Sequence, residues 1–185
     1  MNISPAFTPH ESKVAADGAI TIIGMAAAGK TTIGRELSSL IGWPSLDTDH
    51  VIESVYGVRL QSVTDRLSKE EFLDLEMQAI LSLRVRRMVV STGGSVVYRE
   101  SAMRFLQTLG PVIYLAVPLP VIIERIARKP ERGLAIAPGQ TIEDLFHERE
   151  ALYTQYATWS VEGGNGPPHS YARAIAQWLA TPVAP

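Results

Sequence analysis

The sequence has 185 residues, of which 46% are hydrophobic and 19% are charged, and its formal net charge is -2. This length can bury one sizeable core, so we predict one compact domain. The near-neutral charge gives no global electrostatic reason to bind nucleic acid or an anionic membrane, and no run approaches the ~18 apolar residues of a membrane span. We therefore expect a soluble, cytoplasmic protein whose partner is a small molecule.

Cysteines are absent, and four histidines are scattered along the chain. Disulfides and thiolate metal sites are excluded, and no histidine pair has metal-ligand spacing. The N-terminal segment is polar and contains proline, but it lacks the basic start and apolar core of a signal peptide. We expect residues 1–18 to form a flexible arm, residues 19–180 to form the domain and residues 181–185 to form a short tail.

Strands and helices alternate along the domain. In chain order the patterns predict a strand from Ala19, a helix over 30–40, a second strand ending near Leu46, and helices over 49–57 and 69–87. The buried strand RMVVS, a helix over 99–109 and the strand PVIYLAV follow, and then a mobile loop within about 127–140. The last predicted elements are a helix over 141–157, the weak strand TWSVE, the turn GGNGPP and a helix over 169–180. This alternation indicates an α/β fold with a parallel sheet covered on both faces.

The first strand leads directly into Gly24-Met-Ala-Ala-Ala-Gly29-Lys30-Thr31, which fits the phosphate-binding pattern G-x-x-x-x-G-K-S/T. The two glycines let backbone N–H groups converge on phosphates, and the following helix N-terminus adds favourable partial charge. Lys30 can reach the β and γ phosphates, while the hydroxyl of Thr31 suits Mg²⁺. The alternative is a chance glycine-rich turn. We predict ATP and Mg²⁺ as cofactors, with further nucleotide contacts from Ala26, Ala27, Ala28 and Thr32.

Two carboxylates follow the second predicted strand, in Leu46-Asp47-Thr48-Asp49. Side chains at i and i+2 project the same way from extended backbone. Such a pair beside a phosphate loop suits a division of labour, in which one carboxylate orients Mg²⁺ and the other contacts an acceptor hydroxyl. The alternative is that one aspartate merely caps the following helix.

The order of the motifs resembles the shikimate kinase family from about Ala19 to Leu179. The stretches that carry the resemblance are IGMAAAGKTTIGRELSSLIGWPSLDTDHVIE, EEFLDLE, STGGSVV, GPVIYLAV, IERIARKPERGL and HEREALYTQYA. The resemblance implies a three-layer α/β/α P-loop fold with a five-stranded parallel sheet, a lid at about 127–140 and a substrate-binding helical segment at about 49–87. It implies an ATP-dependent kinase that phosphorylates a hydroxyl of a small metabolite, with shikimate the leading acceptor.

The resemblance also implies roles for individual residues. Asp47 would take the metal, Asp49 would contact the substrate and accept its proton, and Arg149 would bind a carboxylate, for which a planar guanidinium is suited. The remaining implied contacts are Gly93 and Gly94 with the substrate, Arg132 in the lid with the phosphates, and Arg125 and Pro168 near the adenine. The alternatives are an ordinary tight turn for the glycines, solvated loop charges for the two lid-side arginines, and a helix salt bridge for Arg149.

Two departures from the family pattern fall in the substrate site. Leu73 stands where an F-R-x-x-E segment has arginine, and Ser95 stands where the family usually has a third glycine. The lost guanidinium is worth about 1.5–3 kcal/mol, so an acceptor carboxylate would bind ~10–100-fold more weakly. Ser95 would either make the acceptor pocket smaller or bind something new through its hydroxyl. In the lid, Gly133 replaces the usual proline.

Two other functions therefore stay open at this point. The chain could be a kinase re-specialised for another small hydroxy acid or a hydroxy amino acid such as homoserine, or a non-catalytic regulatory module that binds nucleotide or metabolite. A nucleoside monophosphate kinase or gluconate-type kinase is disfavoured, because a monophosphate acceptor needs more arginines and the D-x-D, T-G-G and E-R-E-x-L-Y segments match shikimate kinase together. We expect a monomer.

Overall fold

The structure is a computed structural model that describes residues 13–15, 17–128, 136 and 139–181. Within these ranges the strands are β1 (Ala19–Ile23), β2 (Ser45–Asp47), β3 (Met88–Ser91), β4 (Val112–Ala116) and β5 (Trp159–Glu162). The helices are α1 (Lys30–Ile41), α2 (Thr48–Tyr56), α3 (Leu60–Thr64), α4 (Lys69–Leu81), α5 (Glu100–Leu109), α6 (Leu119–Ala127), α7 (Ile142–Tyr156) and α8 (Pro168–Ala180), with a 3₁₀ turn over Val96–Tyr98.

The five strands form one parallel sheet in the order β2-β3-β1-β4-β5. All five residues of β1, the central strand, are buried. Because successive side chains of a strand point to opposite faces, helices must cover both faces of the sheet. The predicted three-layer fold with a five-stranded parallel sheet is confirmed.

The order of the three neighbouring strands β2, β3 and β1 brings the loops that follow them to one edge of the sheet. The segments that follow β1, β2 and β3 all leave the carboxyl ends of neighbouring parallel strands. In open parallel sheets this edge is where ligands bind. Helix α1 holds the first of these loops in place, because Ile33 and Leu37, one turn apart, are buried in the core.

One helix ends earlier than predicted, and helices α3 and α6 were not predicted. The helix predicted over 69–87 ends at Leu81, and residues 82–87 form a connection in which Arg87 has a left-handed backbone with φ 49°. Leu83 still packs into the core, so its apolar character extended the helical pattern. Helix α3 was not predicted, because its five residues are too few to show a helical period.

The arm predicted for residues 1–18 is packed against the domain at its described end. Val14 is 2% exposed and belongs to the core, while the backbone N–H of Lys13 donates to the Leu179 carbonyl at 3.1 Å. Lys13 therefore contacts α8 and Val14 packs into the core, while the division into arm, domain and tail stays a prediction. Residues 1–12 and most of the predicted lid lie outside the described residues.

Among the described residues, no helix combines the length and the apolar character needed to cross a membrane.

Candidate active site

The phosphate loop connects β1 to α1 and has the strained backbone that its sequence requires. Gly24 and Gly29 have φ of 145° and 104°, and Ala27 has a left-handed φ of 63°. A Cβ on Gly24 would lie 2.8 Å from the Leu115 carbonyl oxygen of β4, so this position needs glycine for space as well as for conformation. Non-glycine residues in the left-handed region concentrate at functional sites, which fits a loop built to hold a ligand.

Lys30 is the first residue of α1 and is 8% exposed. Its ammonium group donates hydrogen bonds of 2.8 Å to the carbonyl oxygens of Gly24 and Met25. The positive charge therefore lies inside the curve of the loop, beside the N-terminus of a 12-residue helix. Both features attract the phosphates of a nucleotide to this position.

Thr31 and Asp47 bring two oxygen ligands together at the end of the sheet. The Thr31 hydroxyl donates to Oδ2 of Asp47 at 2.6 Å, and Oδ1 of Asp47 accepts from the Asp49 N–H at 3.0 Å. Asp47 thus caps α2, as the alternative interpretation held, but it uses only one of its oxygens to do so. The hydroxyl–carboxylate pair suits Mg²⁺, which takes few protein ligands and completes its shell with phosphates and water. In the described part of the chain, no cluster of three or more His, Cys, Asp or Glu forms a metal site of another kind.

Asp49 lies in the first turn of α2 and lines the cavity described below. Its Oδ1 atom is buried and has no hydrogen-bond partner among the described residues. The pKa of Asp49 is raised to about 6, mainly by burial and also by the carboxylate of Asp47, while the ammonium of Lys30 opposes the shift. A carboxyl group with a pKa near neutrality and a free lone pair is suited to accept a proton.

Gly93 and Gly94 follow β3 and let three parts of the site approach each other closely. A Cβ on Gly93 would collide with Oε1 of Glu76, and a Cβ on Gly94 would lie 3.1 Å from the Ala26 nitrogen and 3.2 Å from Nη1 of Arg149. An ordinary tight turn would not need both glycines. The two glycines instead let these parts of the protein approach each other, whereas their contact with the substrate stays a prediction.

Ser95 binds a group that the sequence analysis had not assigned. Its hydroxyl donates a short hydrogen bond to Oε2 of Glu76, and the two residues are 5% and 4% exposed. Burial raises the pKa of Glu76 to about 7, although the Ser95 hydrogen bond favours the charged form. Of the two outcomes expected for Ser95, the new contact through the hydroxyl is the one observed.

Arg149 is the largest fully buried side chain in the described structure, at 1% exposure. Its Nε donates to the Tyr98 hydroxyl at 3.3 Å, and its guanidinium carbon lies 5.2 Å from the centre of the Tyr98 ring. Tyr153, one turn further along α7, donates its hydroxyl to the Gly94 carbonyl at 2.5 Å. A buried guanidinium beside a glycine turn is suited to bind an anion, and the predicted role of Arg149 with a carboxylate stays a prediction.

These groups line one cavity of about 500 Å³. The residues predicted from sequence that it brings together are Ala26, Ala27, Gly29, Lys30, Thr31, Thr32, Asp47, Asp49, Gly93, Gly94, Ser95 and Arg149. Phosphate-binding, metal-binding and acceptor-binding predictions therefore fall on a continuous surface, as transfer between two substrates requires.

Leu73 requires a correction, because the sequence analysis placed it at the substrate. It is 2% exposed on the buried face of α4 and is absent from the described residues that line the cavity. Its neighbours Phe72 and Glu76 line the cavity instead. A leucine is too short and too apolar to extend from this buried position to a polar ligand.

A second cavity, of about 330 Å³, adjoins the other side of the phosphate loop. Arg125 and Pro168, which were predicted near the adenine, line this cavity together with Ala28 of the phosphate loop and Tyr171. Arg125 donates to the carbonyls of Ala27 at 3.2 Å, Ala28 at 2.9 Å and Gly164 at 2.5 Å. Arg125 therefore joins the phosphate loop to the turn before α8, and it is no solvated loop charge. Arg132, the predicted lid arginine, lies outside the described residues.

Several residues of the site were missed from sequence. Tyr98 and Glu76 lie in quoted or adjacent segments but had no assigned role. Gln61 lies in α3, which was not predicted, and Arg59 is the N-cap of that helix. Glu76 could have been found from sequence, because it lies on the apolar face of a helix and a glutamate is rarely buried there unless it has a partner. Arg59 could not have been found from sequence, because a lone arginine in a turn is ordinarily exposed to solvent.

The fold and the two adjoining cavities define a class, the P-loop phosphotransferases that act on small molecules. The family model described as shikimate kinase matches residues 26–180. The shikimate kinase of Nitratidesulfovibrio vulgaris is 32% identical over 150 residues, which cover 78% of this chain and 86% of that protein. The shikimate kinase of Aromatoleum aromaticum is 34% identical over 84% of this chain and 91% of that protein.

Solved structures agree with the sequence relatives. The shikimate kinase from Acinetobacter baumannii in complex with shikimate has a TM-score of 0.79 and 31% identity, covering 86% of this chain and 91% of that one. The shikimate kinase from Aquifex aeolicus has a TM-score of 0.71 at 28% identity, covering 87% of this chain and 95% of that one. The chain belongs to the shikimate kinase family and is an ATP-dependent small-molecule kinase.

Proposed function

We propose that this kinase phosphorylates shikimate to shikimate 3-phosphate, with Mg²⁺ as the ion that accompanies ATP. The observation that carries the proposal is the single cavity in which Asp49 and Arg149 lie on the same wall as Gly93 and Gly94. This wall offers an acceptor for a hydroxyl proton and a buried guanidinium for a carboxylate, and shikimate has both groups. The Acinetobacter baumannii relative was solved with shikimate bound.

The nucleotide would lie across the phosphate loop, with its base in the cavity beside Arg125, Pro168 and Tyr171. Its phosphates would reach the ammonium of Lys30, and Thr31 and Asp47 would hold Mg²⁺ through their oxygens. The ion supplies charge neutralisation of the phosphates when it is bound. We propose that Arg132, by its place in the family pattern, completes this charge stabilisation from the lid.

In the transfer itself, an acceptor hydroxyl oxygen forms a bond to the γ-phosphorus while the bond from that phosphorus to the β–γ bridging oxygen breaks, and ADP leaves. The proton of the hydroxyl passes to Asp49, whose unpartnered Oδ1 faces no competing donor among the described residues. Lys30, 8% exposed within the loop, stabilises the charge that develops on the phosphate oxygens. Positioning contributes more than deprotonation, because the transition state is loose.

The experiment is equilibrium binding of shikimate by titration calorimetry, with Mg²⁺ and a non-hydrolysable ATP analogue present. We expect saturable binding to the wild type and at least ~10-fold weaker binding to Arg149→Lys, which keeps the charge but loses the planar fork. Arg104→Ala is the control, because Arg104 lies on the surface in a pair with Glu100. Nucleotide binding without shikimate binding would contradict the proposed acceptor while leaving the kinase family assignment intact.

A further inference from the structure

The two departures from the family pattern converge on one buried carboxyl group. Ser95 approaches Glu76 from the segment after β3 and donates its hydroxyl to Oε2. Leu73 stands three residues before Glu76 in α4, and both side chains belong to the buried face of that helix. From the sequence, Leu73 and Ser95 were two departures with separate consequences, but the structure relates both to the same side chain.

The spacing of the F-R-x-x-E pattern explains why the residue at position 73 affects Glu76. Residues three apart on a helix are neighbours, so an arginine at position 73 would place its guanidinium beside the carboxyl group of Glu76. A leucine has no hydrogen-bond donor to offer there. A buried carboxylate that loses its donor is strongly disfavoured, so a change of arginine to leucine at this position requires another donor.

Ser95 provides that donor from the opposite side. A glycine in its place would have no side chain, whereas the serine hydroxyl reaches Glu76 in a position that is 5% exposed. We propose that Ser95 is a positioning residue that replaces the missing arginine as the partner of Glu76, so that Leu73 and Ser95 form one compensated change. The inference rests on the proposed function only for its effect on shikimate, since the contact itself is independent of the substrate.

The position of Glu76 affects the acceptor side of the cavity. Its Oε1 lies against Gly93, and a Cβ on Gly93 would also lie 3.1 Å from Oδ1 of Asp49. The charged groups that act on Glu76 are Asp49, Arg149 and Lys30. If Glu76 turned away from Ser95, it would move within the same wall that holds Asp49 and Arg149. The compensated pair therefore keeps the wall in place for an acceptor that carries one carboxylate and neighbouring hydroxyls.

The first test needs no acceptor. The pKa of Glu76 is measured by ¹³C NMR on glutamate-labelled protein, with Glu76→Gln used to assign the signal. Because the Ser95 hydrogen bond favours the charged form, Ser95→Ala and Ser95→Gly should both lower the acid dissociation constant of Glu76 about tenfold or more. Ser95→Thr, which keeps the hydroxyl, should change it less than about threefold. An unchanged value in Ser95→Ala would overturn the proposal.

The second test is a double-mutant cycle on shikimate kinetics. Ser95→Gly should raise the KM for shikimate about tenfold, while the KM for ATP changes less than about twofold. Leu73→Arg in the Ser95→Gly background should recover most of that loss. The same change in the wild type should recover nothing, because Glu76 already has a donor. Equal effects of Leu73→Arg in both backgrounds would show that the two positions are independent and would overturn the proposal.

The matched control is Leu75→Arg combined with Ser95→Gly, which adds the same charge to α4 at a position off the buried face. It should leave the KM for shikimate as high as in Ser95→Gly alone. If wild-type protein does not turn over shikimate, the proposed acceptor fails, but the NMR titration still decides the role of Ser95. If Leu73→Arg does not fold, the comparison of Ser95→Ala with Ser95→Thr decides it by the same criteria.

Discussion

Replacing Asp49 with asparagine should stabilise the protein while it removes catalysis. The pKa of Asp49 is raised from 3.8 to about 6, chiefly by burial. A shift of about 2 units corresponds to about 3 kcal/mol against the charged form, and partial exposure reduces the expected gain to about 2–3 kcal/mol. Loss of this charge also relieves Glu76, whose pKa the Asp49 carboxylate raises. We expect Asp49→Asn to unfold at a higher urea concentration than the wild type at pH 8.

The stability that Asp49→Asn adds should increase as pH rises. Between the unfolded-state pKa of 3.8 and the folded-state pKa of about 6, the folded protein holds a proton that the unfolded chain has lost. The free energy of unfolding therefore falls as pH rises through this window. The full cost of burying the charged Asp49 carboxylate is reached only above the folded-state pKa. At pH 5 the gain from Asp49→Asn should be about half of its value at pH 8.

The assay is urea unfolding followed by tryptophan fluorescence at pH 5 and pH 8, in EDTA and without nucleotide. The difference between the two pH values isolates the charge, because asparagine is the same at both. Asp17→Asn is the control, since Asp17 is exposed and should change the free energy of unfolding by less than about 0.5 kcal/mol at either pH. An equal effect of Asp49→Asn at pH 5 and pH 8, or a loss of stability at pH 8, would show that the buried charge of Asp49 does not destabilise the folded protein.

The other predictions concern the two substrates separately. Lys30→Ala should lower kcat at least ~1,000-fold, because it removes the ammonium that lies inside the phosphate loop; retention of full activity in a coupled ADP assay would contradict the assigned role. Arg125→Ala should raise the KM for ATP about tenfold with little change in the KM for shikimate, because it breaks the bonds that join the phosphate loop to Gly164. Arg104→Ala is the control and should have a smaller effect, since its side chain pairs with Glu100 on the surface and does not line the cavity beside Arg125. Arg59→Ala should raise the KM for shikimate about threefold to tenfold, because Arg59 lines the cavity of about 500 Å³ that holds Asp49 and Arg149; Arg66→Ala, outside that cavity lining, should leave it unchanged.

Much of the fold and of the phosphate side could be predicted from sequence, because these features depend on local patterns. The alternation of apolar strands with periodic helices determines a covered parallel sheet, and the loop from Gly24 to Thr31 has fixed spacing. Asp47 and Asp49 were found for the same reason, since the end of a strand and the start of a helix fix their positions relative to the loop.

The acceptor side could be predicted less well, because it depends on contacts between distant segments. The bond from Ser95 to Glu76 joins residues 19 apart, and the bond from Arg149 to Tyr98 joins residues 51 apart. No period or spacing in the sequence indicates such pairs. Leu73 was assigned to the substrate by its place in a motif, whereas the rotation of α4 directs it into the interior and leaves Phe72 and Glu76 at the cavity.

The proposed function is tested most directly by incubating the purified protein with Mg-ATP and shikimate and following ADP release together with the mass of the product. We predict ADP release that depends on shikimate, formation of an equimolar amount of phosphorylated shikimate, and loss of both in Lys30→Ala. ADP release that is no faster with shikimate than without it, in protein that binds ATP, would contradict the proposed function.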